Sequence, residues 1–202
     1  MMTAQNLKAI KDEDYQLIAA FLQSDRQAFD SLLLKYKNRI YQLCFQIVGN
    51  DQDAEDCAQE TFIKVFRYLD KFKYESTFAT WLYRIAVNTC KDKLKSGEFR
   101  AWKLHFRLDQ PLNQEEGADH LEIPDRNSPE TALERKETLN AIVEAIGTLG
   151  SDHQILVVLR DFEGKSYEEI AAITGYKLGT IKSKLARARE ALRLKLKGVI
   201  LR

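Results

Sequence analysis

The sequence predicts an all-α protein of two small helical domains joined by a long flexible linker. Three observations carry that reading. Apolar residues recur at three- and four-residue steps over most of the 202 positions. No segment shows the convincing two-residue alternation of a half-buried strand. The 33 residues from Gly97 to Pro129 hold all three prolines, with Gly117 and many Asn, Gln and acidic residues, and keep no period. A loop of that length is out of place inside one compact domain. The chain therefore divides into 1–96, a linker at 97–129 that reaches on the order of 100 Å when fully extended, and 130–202.

The elements follow in order. A short helix spans about Asp14 to Gln23. Asp25 caps a long one, in which Ala28, Phe29, Leu32, Leu33, Tyr36, Ile40, Leu43, Cys44 and Ile47 recur at helical steps up to Gly49, a C′ stop. After Asn50 a second long helix opens on acids, where the macrodipole favours them, and runs through Phe62, Val65, Phe66 and Leu69. The loop Phe72-Lys73-Tyr74-Glu75 follows, and Ser76 is placed to cap a third helix reaching about Lys95, closed by Gly97. Beyond the linker, helices are expected over Thr131 to Thr148 and Ser151 to Phe162. Ser166-Tyr-Glu-Glu169 reads as a capping box before a short helix. Gly175 to Gly179 supplies a turn, and a last helix, with Leu178, Ile181, Leu185, Ala188 and Leu192 in one stripe, runs to the C-terminus.

Composition excludes several classes. The chain is 45% apolar and 30% charged, ordinary for a globular protein and too apolar for disorder. Its longest apolar run is the six residues Leu17 to Leu22, against roughly 20 needed to span a bilayer. No charged start precedes an apolar h-region, so a cytoplasmic protein without membrane insertion is expected. Cys44, Cys57 and Cys90 are odd in number and sit in apolar helical contexts, the pattern of buried free thiols. His105, His120 and His153 are scattered. Neither a metal site nor a cofactor is expected.

Charge is segregated although the net is only +1. Asp51 to Glu60 holds five acids and no base. Thr61 to Arg107 holds eleven bases against four acids, a local +7. Asp109 to Glu130 holds seven acids against one base, a local −6, and Tyr176 to Arg202 nine bases against one acid, a local +8. Two basic blocks around an acidic stretch suit two modules that meet a polyanion; lysine-rich helices with solvated faces give the same counts. In the last helix Thr180, Ser183 and Arg187 lie opposite the apolar stripe, flanked by Lys182 and Lys184. A short capped helix, a glycine-bounded turn and such a helix make a helix-turn-helix that fits the major groove. On the third helix Trp81, Arg84, Asn88, Lys91, Asp92 and Lys95 share one edge, beside Phe72 and Tyr74 in the preceding loop. Cations for phosphates beside aromatic faces suit unstacked bases better than duplex; core packing of Trp81 and Phe72 is the plainer alternative. Asp53, Asp56 and Glu60 share a face that could hold a metal, compensate the helix dipole, or dock a basic partner with Gln59.

Four segments carry a resemblance. Asp53-Ala-Glu-Asp-Cys-Ala-Gln-Glu-Thr-Phe-Ile-Lys-Val-Phe66, Phe78-Ala-Thr-Trp-Leu-Tyr-Arg-Ile-Ala-Val-Asn88, Ser166-Tyr-Glu-Glu-Ile-Ala-Ala171 and Gly179-Thr-Ile-Lys-Ser-Lys-Leu-Ala-Arg-Ala-Arg-Glu-Ala-Leu192 resemble bacterial RNA polymerase sigma factors of the extracytoplasmic-function (ECF) class. The resemblance implies a non-enzymatic protein with a region 2 helical bundle in the first domain and a region 4 helix-turn-helix in the last. It implies that Asp53, Asp56, Gln59 and Glu60 face the clamp of the polymerase largest subunit. It implies that Phe72, Tyr74, Ser76, Trp81, Arg84, Asn88, Lys91 and Asp92 meet melted −10 DNA, and that Thr180, Lys182, Ser183, Lys184 and Arg187 meet the −35 duplex. Core RNA polymerase, promoter DNA in duplex and single-stranded form, and an anti-sigma factor packing on both domains are the implied partners. Leu149-Gly150 stands where many members have Leu-Pro, and no region 1 or region 3 is evident. A two-domain regulator acting on duplex DNA without polymerase is the competing reading.

Overall fold

The structure is a computed structural model, and it describes residues 13–97, 99, 142 and 145–200. The expected linker and most of the expected helix from Thr131 to Thr148 lie outside the described residues. All regular elements among the described residues are helical. α1 spans Glu13–Leu22, α2 Arg26–Val48, α3 Asp51–Tyr68 and α4 Phe78–Lys95; α5 spans Ser151–Val157, α6 Tyr167–Thr174 and α7 Leu178–Ile200.

Local chemistry sets these bounds. The Asp25 carboxylate accepts from Gln27 N at 3.0 Å and starts α2. Gly49 ends it in the left-handed region at φ 86°, its N–H bonded to Phe45 O. The cap of α4 is Thr77 rather than the expected Ser76. Thr77 is the residue in extended backbone, and its Oγ1 accepts from Thr80 N at 3.2 Å, while the Ser76 carbonyl takes the Tyr15 hydroxyl. The expected single helix from Ser151 to Phe162 is α-helical only to Val157. Over Val158–Phe162 it widens to a π-turn, with Glu163 N reaching back to Val158 O.

α1 to α4 close on a core of Ile18, Leu32, Ile40, Leu43, Ile47, Leu69, Phe78 and Leu82, each at most 1% exposed. α1 is pinned to α2 by Asp14, whose carboxylate accepts from Tyr36 Oη at 2.5 Å and Lys35 Nζ at 2.6 Å. Cys44, Cys57 and Cys90 are buried free thiols from three different helices. Hydrogen bonding to the neighbouring Cys44 and Cys57 sulfurs, with burial added, holds the Cys90 thiol well above its usual range. In the second module Ile155, Leu156 and Leu159 pack against Ile170, Ile173, Ile181, Leu185 and Ala188. Leu82 sits at the centre of the first core, so Leu82→Ala is expected to cost about 2–5 kcal/mol. Urea unfolding checks this: the midpoint should fall with the slope unchanged.

The two modules are in contact. α4 packs against α3 and also against α6 and α5. Gln154, 3% exposed, donates through Nε2 to Ile47 O, a carbonyl in the last turn of α2 that has no partner within its own helix.

Candidate nucleic-acid interface

The loop before α4 is a packed aromatic cluster. Phe72 is only 5% exposed; its ring lies 4.9 Å from Tyr74, 5.3 Å from Trp81 and 6.1 Å from Tyr15. Tyr74 is held at φ 57°, a left-handed position that a bulky side chain occupies at a cost, and the residue is 40% exposed. Phe72 thus forms the floor on which Tyr74 and the half-buried Trp81 are set, and Tyr74 offers the open aromatic surface. Ser76 is half-buried beside them.

Along α4, Arg84, Asn88 and Asp92 are exposed in one row. Lys91 departs from that row. Its Nζ lies 2.6 Å from Asp152 Oδ1 and donates to Tyr176 Oη at 2.9 Å. These hydrogen bonds raise the Lys91 pKa. The same Asp152 carboxylate takes Lys184 Nζ of α7 at 2.7 Å. Burial works against its ionisation, yet the Lys184, Lys91 and Tyr176 donors outweigh that and hold Asp152 far below the usual carboxylate range.

The helix-turn-helix is built as the residues dictate. Ser166 Oγ accepts from Glu169 N at 3.1 Å and the Glu169 carboxylate accepts from Ser166 N at 2.8 Å, closing the capping box. Gly175 ends α6 at φ 75°. Lys182, Ser183 and Arg187 are exposed on α7, and Thr180 is half-buried with its carbonyl taken by Ser183 Oγ. Leu178, expected in the apolar stripe, is instead 41% exposed, because it sits at the first turn of α7, ahead of where that helix meets its partners. Ser166→Ala is expected to cost about 1 kcal/mol, read as faster amide exchange in α6. Its backbone hydrogen bond to Ser166 lowers the Glu169 pKa. The cap's contribution is therefore full at neutral pH and fades as pH falls through that lowered value.

On α3 the carboxylates separate into two roles. Asp53 accepts from Asn50 Nδ2 at 2.7 Å and faces Lys93 Nζ at 2.5 Å, so it is engaged within the fold. The Asp56 side chain is 62% exposed, and Gln59 and Glu60 are exposed, Glu60 only loosely facing Lys64 at 3.5 Å. Phe66, one of the apolar residues through which this helix was expected to run, is 51% exposed. With Phe62, Ile63, Leu33 and Phe29 it lines an open groove of about 760 Å³ between α2 and α3, next to Gln59. Sequence periodicity missed this groove, since an apolar residue at a helical step reads as core whether or not a partner helix covers it. Among the described residues no group of His, Cys, Asp or Glu is placed to hold a metal ion, and no helix is long and apolar enough to cross a membrane.

Residues 32–100 match the family model described as Sigma-70 region 2, and residues 139–192 that described as Sigma-70, region 4. The chain is 39% identical over 186 residues to the RNA polymerase sigma-H factor of Pseudomonas aeruginosa, covering 90% of this chain and 93% of that one. It is 36% identical over 189 residues to the ECF RNA polymerase sigma-E factor of Escherichia coli K12, covering 94% and 97%. The structure of CnrH in complex with the cytosolic domain of CnrY is similar with a TM-score of 0.64 over 93% of this chain and 99% of that one, at 22% identity, a likeness of fold. The sigma factor RpoE in complex with the anti-sigma factor NepR, from Bartonella quintana, is similar with a TM-score of 0.59 at 26% identity, covering 84% and 96%. Helical bundle, helix-turn-helix and the order of the two define a sigma-70-type initiation factor. The chain belongs to the ECF sigma factors.

Proposed function

We propose that the chain binds core RNA polymerase through the exposed part of α3 and its apolar groove, and directs initiation by setting α7 in −35 duplex and the α4 edge on melted −10 bases. It supplies recognition, and catalysis stays with the polymerase. The observation that carries this reading is the exposed row Arg84, Asn88 and Asp92 on the helix that follows the loop bearing the exposed Tyr74, a surface suited to bases already unpaired. A regulator confined to duplex has no use for that row or for an acidic helix face beside an apolar groove. Division at 1–96, 97–129 and 130–202 fits this allotment, with Phe72 and Asp53 as supports and the remaining residues as contacts. Work on promoters and polymerase places the chain in the cytoplasm, and the NepR complex supports an anti-sigma partner.

Run-off transcription tests the reading. Core polymerase plus this chain should start at discrete sites on genomic promoter fragments; initiation no different from core alone would remove it. Asn88→Ala should lower open-complex formation about ten- to a hundredfold, the loss of one base contact of about 1–3 kcal/mol, while closed-complex binding holds.

A further inference from the structure

We infer that Asp152 stands in for a DNA phosphate, clasping one lysine from each DNA-facing helix so that the closed pair of modules and promoter engagement exclude each other. The inference rests on the proposed roles of α4 and α7. One carboxylate meets Lys91 Nζ at 2.6 Å through Oδ1 and Lys184 Nζ at 2.7 Å through Oδ2. Both ammonium groups also lie over the Tyr176 ring, at 5.4 and 5.2 Å from its centre. Two cations gathered on one anion is the arrangement a backbone phosphate creates with basic side chains. The contact is intramolecular, so it holds its two lysines at high effective concentration and any phosphate must displace it.

A second set of contacts closes the interface nearby. Tyr83 Oη donates to Glu163 Oε2 at 2.6 Å, Arg39 Nε lies 3.7 Å from the same oxygen, and Lys165 Nζ sits 4.4 Å from the Tyr83 ring centre. The anions Asp152 and Glu163 come from the second module and the groups they hold on the first come from α4 and α2. Removing the Asp152 charge leaves Lys91 and Lys184 facing each other across a neutral group, which weakens the closed state by the contact to Lys91 that only that state makes, whereas the pairing with Lys184 lies within the second module and is lost from both states alike. When the binding-competent form is a minor fraction, apparent affinity is reduced by that fraction, so opening the clasp raises it without any new DNA contact.

The test uses the free full-length chain. Small-angle scattering and anisotropy with a promoter duplex are measured for the wild type, Asp152→Asn and Glu163→Gln, and Lys184→Ala is assayed in transcription with core polymerase. Asp152→Asn is expected to raise the radius of gyration and tighten duplex binding about tenfold. Glu163→Gln, which leaves the clasp residues intact, should move both quantities the same way by a smaller factor, and carries the test if the first variant does not fold. Unchanged radius and affinity in the folded variants, with transcription still lowered by Lys184→Ala, would overturn the clasp alone. Transcription indifferent to Lys184→Ala would remove the reading of α7 on which the clasp depends.

Discussion

Asp56→Lys combined with Glu60→Lys is expected to abolish polymerase-dependent transcription while leaving duplex binding by the free chain intact. Asp56 and Glu60 lie one turn apart on the exposed side of α3, with Gln59 beside the apolar groove. Their existing partners hold them weakly, at 3.6 Å to Lys93 and 3.5 Å to Lys64. Both sit beyond the first turn of α3, so reversing them costs little through the helix dipole, and exposed substitutions of this kind usually stay within about 0.5 kcal/mol of stability. At an interface the balance is different. Losing one partner of a desolvated charge pair costs about 2–5 kcal/mol, which is a thirtyfold to several-thousandfold loss of affinity. Reversal of two charges adds repulsion to that loss. Co-purification with core polymerase and run-off transcription check it. The same change at Asp53 should act on folding instead, because Asp53 is bonded to Asn50 and Lys93 within the fold.

Lys182→Ala with Arg187→Ala is expected to lower recognition of the −35 duplex about a hundredfold and leave polymerase affinity unchanged. Both side chains are exposed on the face of α7 opposite Ile181, Leu185 and Ala188. Neither takes part in the clasp around Asp152. A cation reading a base edge is worth about 1–3 kcal/mol, and the loss of one that meets phosphate lowers the salt dependence of binding by roughly one counterion. Measuring affinity against salt concentration separates the two contributions. A loss that is uniform across sequences assigns the pair to backbone contacts, and a loss confined to the cognate site assigns it to base reading.

Much of this was legible in the sequence because it depends on local chemistry. Asp25, Gly49, Ser166 with Glu169, and Gly175 each fix a helix end through neighbours within a few residues, and all four do so in the structure. The exposure of Arg84, Asn88 and Asp92 follows from the period of one helix. What stayed hidden depends on which element lies alongside another. Phe66 and Leu178 satisfy the apolar period yet stay exposed, Phe66 meeting Phe21 and Phe29 on one side only, and for Phe72 the cluster with Tyr15, Tyr74 and Trp81 decides for packing over an open face. Thr77 and Ser76 offer the same capping chemistry, and only the backbone shows that Thr77 is the extended residue whose hydroxyl meets Thr80 N. The bonds from Asp152 to Lys91 and from Gln154 to Ile47 O join segments distant in the chain, and no periodicity encodes them.

The account as a whole requires that this chain work through polymerase. The direct measurement is a fluorescence anisotropy titration of labelled full-length chain with purified core enzyme in low-salt buffer. Saturable one-to-one binding that disappears in the Asp56→Lys, Glu60→Lys variant is the predicted result. An unmodified chain that shows no association with the core enzyme, while still binding promoter duplex, would contradict it.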